Sequence, residues 1–309
     1  MRFESDADLP HAGPNLTNVN GESQPQPQTQ PRLGAFAGEP MRVEPERTPS
    51  LGGWRPPPRA ETGEPDYGLD APYVVLASFA LAAVALPFAL ALGRVRVAGR
   101  GVPLLPGINA LLAFASAAFG SALVAYAKRG KLNHRDRVLD SIAWTGRERV
   151  LDIGTGRGLM MIGAAKRLTT GRAFGIDIWR AEDLSGNNRE NAMRNAFLEG
   201  VVEKVDVRFE DARKLGFQRD SFDVVFATST LHSIATKDGR DAACREIARV
   251  LRPGGTAIVS DHAHVGAYAA TFRSAGLQVR TGFAAPDTFA FLRTIVATKP
   301  AGGPTSKPT

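Results

Sequence analysis

The sequence predicts an α/β fold: a mostly parallel sheet with helices on both faces, reached through two long apolar helices that follow a polar N-terminal tail. Three observations support this. From Arg149 onward, short apolar runs alternate with amphipathic stretches, the pattern of strands joined by crossover helices. The run Val150-Leu151-Asp152-Ile153 opens into Gly154-Thr155-Gly156-Arg157-Gly158 before a helical stretch, as when a buried parallel strand turns sharply beneath a ligand that touches bare backbone. Ahead of it, residues 71–93 and 104–127 contain no charged residue. At 1.5 Å per residue each is long enough to cross a hydrocarbon layer about 30 Å thick.

In chain order, residues 1 to about 70 are rich in breakers, including Gln24-Pro25-Gln26-Pro27 and Arg55-Pro56-Pro57-Pro58-Arg59. A segment with so few apolar clusters cannot offset its ordering entropy, so a disordered Pro/Gln-rich tail is expected, with Met41 as an alternative start. Residues 71–131 are expected to form a transmembrane hairpin, with helices at about 73–93 and 104–127. Pro87 and Pro106 are tolerable in membrane helices, and Ser116 with Gly120 offers a small face for close packing. Lys128, Arg129, Lys131, Arg135 and Arg137 follow the second span, against Arg94, Arg96 and Arg100 in the loop, which points the C-terminal part to the cytoplasm. The first apolar stretch begins too far into the chain for a signal peptide. Residues 133–143 read as a short amphipathic helix with Val138, Leu139 and Ile142 inward.

Beyond that helix, strands are expected at Arg149–Ile153, Ala173–Ile178, Lys204–Phe209, Phe222–Ala227, Thr256–Ser260, Leu277–Thr281 and Thr288–Thr298. Helices are expected at Leu159–Leu168, about Ser185–Glu199, Arg240–Leu251 and Val265–Ala275, and residues 301–309 as a flexible tail. The formal charge of +7 and pI near 9.8 are spread along the chain without a basic stripe. They fit a membrane neighbour better than nucleic acid. Cys244 is the single cysteine, so no intramolecular disulfide is possible. Its spacing with Ile247, Ala248 and Leu251 makes it a small core residue.

The segment Asp152-x-Gly154-x-Gly156-x-Gly158 resembles motif I of the class I S-adenosylmethionine-dependent methyltransferases, and the seven-strand alternation from about Asp136 to Pro300 is similar to their Rossmann-like sheet. A dinucleotide-binding Gly-x-Gly-x-x-Gly loop is the rival, but the third glycine comes one position early and Asp152 stands where a pyrophosphate would sit. An acidic residue about 20 positions on is wanted for ribose hydroxyls, and Asp177 stands there. The resemblance assigns Asp152, Gly154, Thr155, Gly156 and Gly158 to the S-adenosylmethionine site. It also implies that Ile178 packs on adenine, that Asp211 with Ala212 meets the adenine amino group, and that Thr228 bounds the cofactor.

His232, or one of Asp261, His262 and His264 after the expected fifth strand, is the candidate general base. The last three share one loop without a further obvious ligand, so no metal is expected. The ensemble most resembles the methyltransferase type 11 subgroup typified by ubiquinone and menaquinone biosynthesis, although Trp179 to Asn188 departs from its usual short turn. The resemblance and the apolar spans together imply a membrane-anchored methyltransferase with a cytoplasmic catalytic domain and a small, lipophilic or membrane-associated acceptor. An inactive S-adenosylmethionine-binding anchor and an NAD-dependent oxidoreductase are the alternatives.

Overall fold

The computed structural model describes residues 63–92, 96–97, 100–101, 104–284, 288 and 292–302. The expected tail therefore lies outside the described residues up to residue 62, as do residues 303–309.

Two apolar helices, α1 (Pro72–Leu92) and α2 (Leu104–Ala125), are joined through a two-residue ladder of β1 (Arg96–Val97) with antiparallel β2 (Arg100–Gly101). They pack on each other where Gly120 is bare: a Cβ there would stand 3.1 Å from the Phe79 ring. The other faces stay exposed, with Val84 at 70 % and Phe114 at 74 %. Helices this apolar on every side have no polar face to turn to water. A five-residue π turn, Tyr126–Gly130, leads from α2 into α3 (Lys131–Asp140), whose Val138 and Leu139 are buried as the amphipathic pattern predicts.

The remainder is a seven-stranded sheet: β3 (Arg149–Ile153), β4 (Arg172–Asp177), β5 (Val205–Phe209), β6 (Phe222–Thr228), β7 (Leu251–Asp261), β8 (Gln278–Ala284) and β9 (Arg293–Thr298). The spatial order is β5-β4-β3-β6-β7-β9-β8, with β9 antiparallel to both neighbours and the other pairs parallel. The crossovers carry α4 (Leu159–Ala165), α5 (Arg189–Leu198), α6 (Lys237–Val250) and α7 (Val265–Ser274).

Strand side chains alternate between two cores. Leu151, Ile153, Val225 and Val259 face α6 and α7, meeting Ile247, Tyr268 and Phe272. Val150, Val224, Phe226 and Ile258 face the other way, meeting Leu139 of α3, Met161 of α4 and Met193 of α5. Cys244 lies in the first core, and burial pushes its thiol up to about 12. Successive strands leave β3 in opposite directions, to β4 on one side and β6 on the other, which opens a crevice at the carboxyl ends of the strands.

Several boundaries differ from the sequence expectation. Helix α5 begins at Arg189 rather than Ser185, because Gly186 takes φ +63° and Asn188 caps the helix by accepting from Asn191 N at 2.8 Å. Helix α6 begins earlier, at Lys237, because Thr236 Oγ1 accepts from Gly239 N at 3.1 Å. Strand β7 begins at Leu251, which pairs with Phe222; Arg252 to Gly255 bulge out before pairing resumes at Thr256. Strand β9 begins at Arg293, and residues 289–291 of the expected strand lie outside the described residues.

The larger correction is at residues 66–70, expected to belong to the tail. Asn195 is buried and holds Asp66 on both backbone groups, accepting from its N at 3.0 Å and donating to its O at 2.8 Å. Tyr67 is buried and donates to Glu199, and Leu69 N donates to Ser185 Oγ at 2.7 Å. Lys131, buried, donates to the carbonyls of Tyr67 and Gly68 and pairs with Asp70 at 3.2 Å. Polar groups satisfied in this way order a segment whose composition alone carries no core.

Candidate active site

The crevice holds a cavity of about 360 Å³, bounded by the loop after β3, the ends of β4, β5 and β6, and the 66–70 segment. It lies within the size range of small-molecule pockets. The glycine loop is stitched to β4, since Gly154 N and Thr155 N both donate to Ile176 O, at 2.8 and 3.0 Å. Gly154 has φ +68°, and a Cβ there would run into the side chain of Thr230. Gly158, at φ +89°, starts α4 and does not line the cavity; its part is conformational. Of the other loop residues, Asp152, Gly154, Thr155 and Gly156 do line it.

Asp152 is 2 % exposed, and its Oδ2 accepts from Thr155 Oγ1 at 2.8 Å and from Met161 N at 3.0 Å. It therefore fastens the loop to α4. Burial pushes its carboxyl up to about 7 despite those two bonds, with Asp177 adding to the rise. Asp177 ends β4 and fastens the loop from the other side: Oδ2 accepts from Gly156 N at 2.8 Å and Oδ1 from Trp179 N at 2.7 Å. Each carboxylate oxygen keeps acceptor capacity for a ligand hydroxyl. Ile178 is next, 43 % exposed on the cavity wall.

Asp211 and Ala212 follow β5 and line the cavity as expected. The Asp211 carboxylate is gripped by Arg213, with contacts from Nη2 at 2.6 Å and Nε at 2.9 Å, which holds it below the usual carboxylate range. Thr228 ends β6 on the same wall. Tyr67, Asp70, Tyr126 and Lys131 also line the cavity, and sequence reasoning missed all four. The signal available was Asp66-Tyr67-Gly68-Leu69-Asp70, an aromatic and an aliphatic residue between carboxylates in an otherwise Pro-rich stretch.

His232 does not line the cavity, although its neighbour Ser233 does. It sits on a short turn, Leu231–Ser233, after β6 and turns towards Asp261 at the end of β7. His232 Nδ1 is 2.8 Å and His262 Nδ1 3.4 Å from the same oxygen, Asp261 Oδ1. The two imidazole rings stand 4.1 Å apart, and His262 is held below the usual histidine range by burial and then by His232. His264 is not in this group. It precedes α7 at φ +58° with its ring against Tyr268.

Residues 151–259 match the methyltransferase domain family. The chain is 34 % identical over 113 residues to methyltransferase GfsG of Streptomyces halstedii, covering 37 % of each chain. It is 35 % identical over 119 residues to the ubiquinone/menaquinone biosynthesis C-methyltransferase UbiE of Chromobacterium violaceum, covering 38 % of this chain and 44 % of that one. It is 32 % identical over 129 residues to the 27-O-demethylrifamycin SV methyltransferase of Amycolatopsis mediterranei, covering 41 % and 43 % respectively. The chain thus spans less than half the length of these relatives. The matched residues are a methyltransferase domain, and the order β5-β4-β3-β6-β7-β9-β8 with antiparallel β9 is the class I sheet. The match does not favour the dinucleotide alternative.

Proposed function

We propose that this methyltransferase domain transfers a methyl group from S-adenosylmethionine to a small lipophilic or membrane-associated acceptor, from a position on the cytoplasmic face of a membrane that α1 and α2 cross. The observation that carries the reading is the convergence of Gly154, Asp177, Asp211 and Thr228, from four strand ends, on one cavity. The fit to an adenosyl-sulfur ligand rests on structure: Gly154 and Gly156 present bare backbone at the cavity wall, with the Cβ side of Gly154 closed by Thr230, and Asp177 is an acceptor there.

Asp177 would accept from ribose hydroxyls, Ile178 would cover one adenine face, and Asp211 with the Ala212 backbone would meet the adenine edge. The glycine loop lets the methionine portion approach bare backbone. When bound, S-adenosylmethionine supplies an electrophilic methyl group on a cationic sulfur. The protein's work is then alignment and exclusion of water. Asp152, buried with a raised pKa, ionises more readily beside a cation, so it favours a charged ligand over a neutral one. For a hydroxyl acceptor, proton loss would be assisted by His232, which stands beside Ser233 of the cavity wall.

Two features support the membrane side of the reading. Both apolar helices keep large apolar side chains exposed along their length, including Leu76 and Val84 on α1 and Leu111 and Phe114 on α2. The cavity wall also includes Asp70, two residues before α1, and Tyr126, directly after α2. An acceptor leaving the bilayer between the helix ends would meet the cavity at once.

The test is incubation of the full chain in native membranes with methyl-labelled donor, followed by lipid extraction. Label should enter the organic extract and, at donor concentrations that only just saturate the unmutated chain, fall steeply with Asp177→Ala. Label confined to water-soluble products would remove the lipophilic acceptor, and no transfer to any fraction would leave only a binding protein. Carbonate-washed membranes should retain the chain; release into the wash would contradict the anchor.

A further inference from the structure

We infer that His232, Asp261 and His262 bind a divalent transition-metal cation at the ends of β6 and β7, next to Ser233 of the cavity wall. In sequence, Asp261, His262 and His264 make a poor ligand set in one loop and predict no metal. The fold assembles a different three, replacing His264 by His232 from the end of the neighbouring strand. Their ligand atoms all lie within 4.8 Å of one another.

The geometry is poorly explained by hydrogen bonding alone. His232 Nδ1 is buried and 2.8 Å from Asp261 Oδ1, yet it makes no aligned hydrogen bond with that oxygen or any other group among the described residues. A ring nitrogen in that position would ordinarily donate to the carboxylate or take another partner. His262 Nδ1 converges on the same oxygen from 3.4 Å. Donors about 2.0–2.2 Å from one cation stand roughly 3 Å apart, and the two nitrogen-to-oxygen distances, 2.8 and 3.4 Å, bracket that spacing.

The carboxylate is also oriented in advance. Its Oδ1 accepts from His262 N at 2.8 Å and its Oδ2 from His232 N at 3.1 Å, so backbone bonds fix the plane of the group. Asp261 is fully buried, and among the described residues its ion-pair partners are the two imidazoles, with no Lys or Arg among them. A shared cation would compensate that buried charge.

Two imidazole nitrogens and one carboxylate oxygen suit Zn²⁺, Fe²⁺, Co²⁺ or Ni²⁺ rather than Mg²⁺ or Ca²⁺. With three protein ligands, coordination positions remain open, and His262 is 42 % exposed on that side. The site stands on its three donors. Its role rests on the methyl-transfer reading: an acceptor hydroxyl bound at an open position would have a lowered pKa and release its proton to solvent, leaving an oxygen nucleophile for the methyl group. His232 would then act on the acceptor through the cation rather than as a lone base.

The experiment uses the full chain without a histidine tag, stripped with chelator in detergent and titrated with Co²⁺. Calorimetry and visible absorption are recorded in parallel with S-adenosylhomocysteine binding. Expected are one Co²⁺ per chain with ligand-field bands, a loss of more than about tenfold in Co²⁺ affinity in His232→Ala and in His262→Ala, and no change in His264→Ala. S-adenosylhomocysteine binding retained in His262→Ala shows that the fold is intact and separates this site from the cofactor reading. Absence of stoichiometric Co²⁺ binding in the unmutated chain, or binding unchanged in both histidine variants, would overturn the proposal.

Discussion

One wall of the cavity is backbone and the other is side chains. From Asp152 to Gly158 and across to Asp177, the loop is held by strand ends buried on both faces and by carboxylates that accept from Met161 N, Gly156 N and Trp179 N. From Asp66 to Asp70, the chain lies on the domain through Asn195, Glu199, Ser185 and Lys131, and the Asp66 carboxylate that meets Arg157 at 3.0 Å is 66 % exposed. The first wall depends on dihedral angles that most residues cannot adopt, so one substitution removes it. The second is a set of separate contacts, each worth about 1 kcal/mol, so it weakens by degrees.

The sharpest break of that contrast is Gly154→Val. With φ at +68° and Thr230 in the way of any side chain, the loop cannot keep its path. S-adenosylhomocysteine binding should be lost altogether, measured by calorimetry, while far-ultraviolet circular dichroism still reports a folded sheet. Asp177→Ala comes next. It frees the Gly156 and Trp179 amides and removes the ribose acceptor, so affinity should fall about 100-fold, or roughly 2.7 kcal/mol. An affinity within about threefold of the unmutated chain would move the ribose elsewhere.

For Asp152 the prediction has a sign. Its carboxyl is near 3.8 when unfolded and about 7 when folded, so the folded protein holds the proton more tightly between those values. Its contribution is therefore most favourable below about pH 4 and is lost as pH rises through 7. Asp152→Asn keeps an acceptor for Thr155 and Met161 but cannot ionise. Relative to this variant, the unmutated chain should lose on the order of 2–4 kcal/mol of stability between pH 4 and pH 8, measured by denaturant unfolding without ligand. Parallel pH profiles would show that the buried carboxyl does not titrate there.

The smallest effect belongs to the second wall. Asp66→Ala removes an ion pair whose carboxylate is exposed and leaves buried Arg157 its bond to Ser185 O, so the loss is about 1 kcal/mol and S-adenosylhomocysteine affinity should fall about fivefold or less. Limited proteolysis should then cut more readily between residues 63 and 70. A loss as large as that of Asp177→Ala would mean that the two walls are equivalent.

The same contrast explains what was legible in the sequence. Val150 to Gly158 and Asp177 could be read because periodicity, glycine spacing and strand length are local properties, and the seven strands followed from the same signals. The 66–70 segment could not, since its order comes from Asn195 and Lys131, 129 and 64 positions away from the groups they hold. His232 was legible as a candidate but its partner was not, because the contact with Asp261 spans 29 positions and exists only once β6 and β7 pair. The resemblance assigns Gly158 to the ligand, whereas its backbone angle shows a role in starting α4.

Whether these strand ends take an adenosyl-sulfur ligand is tested most directly by equilibrium calorimetry on the full chain in detergent. S-adenosylhomocysteine should bind with saturable heat at one site per chain, with none from NAD⁺ under the same conditions. Heat from NAD⁺ together with silence from S-adenosylhomocysteine would contradict the assignment.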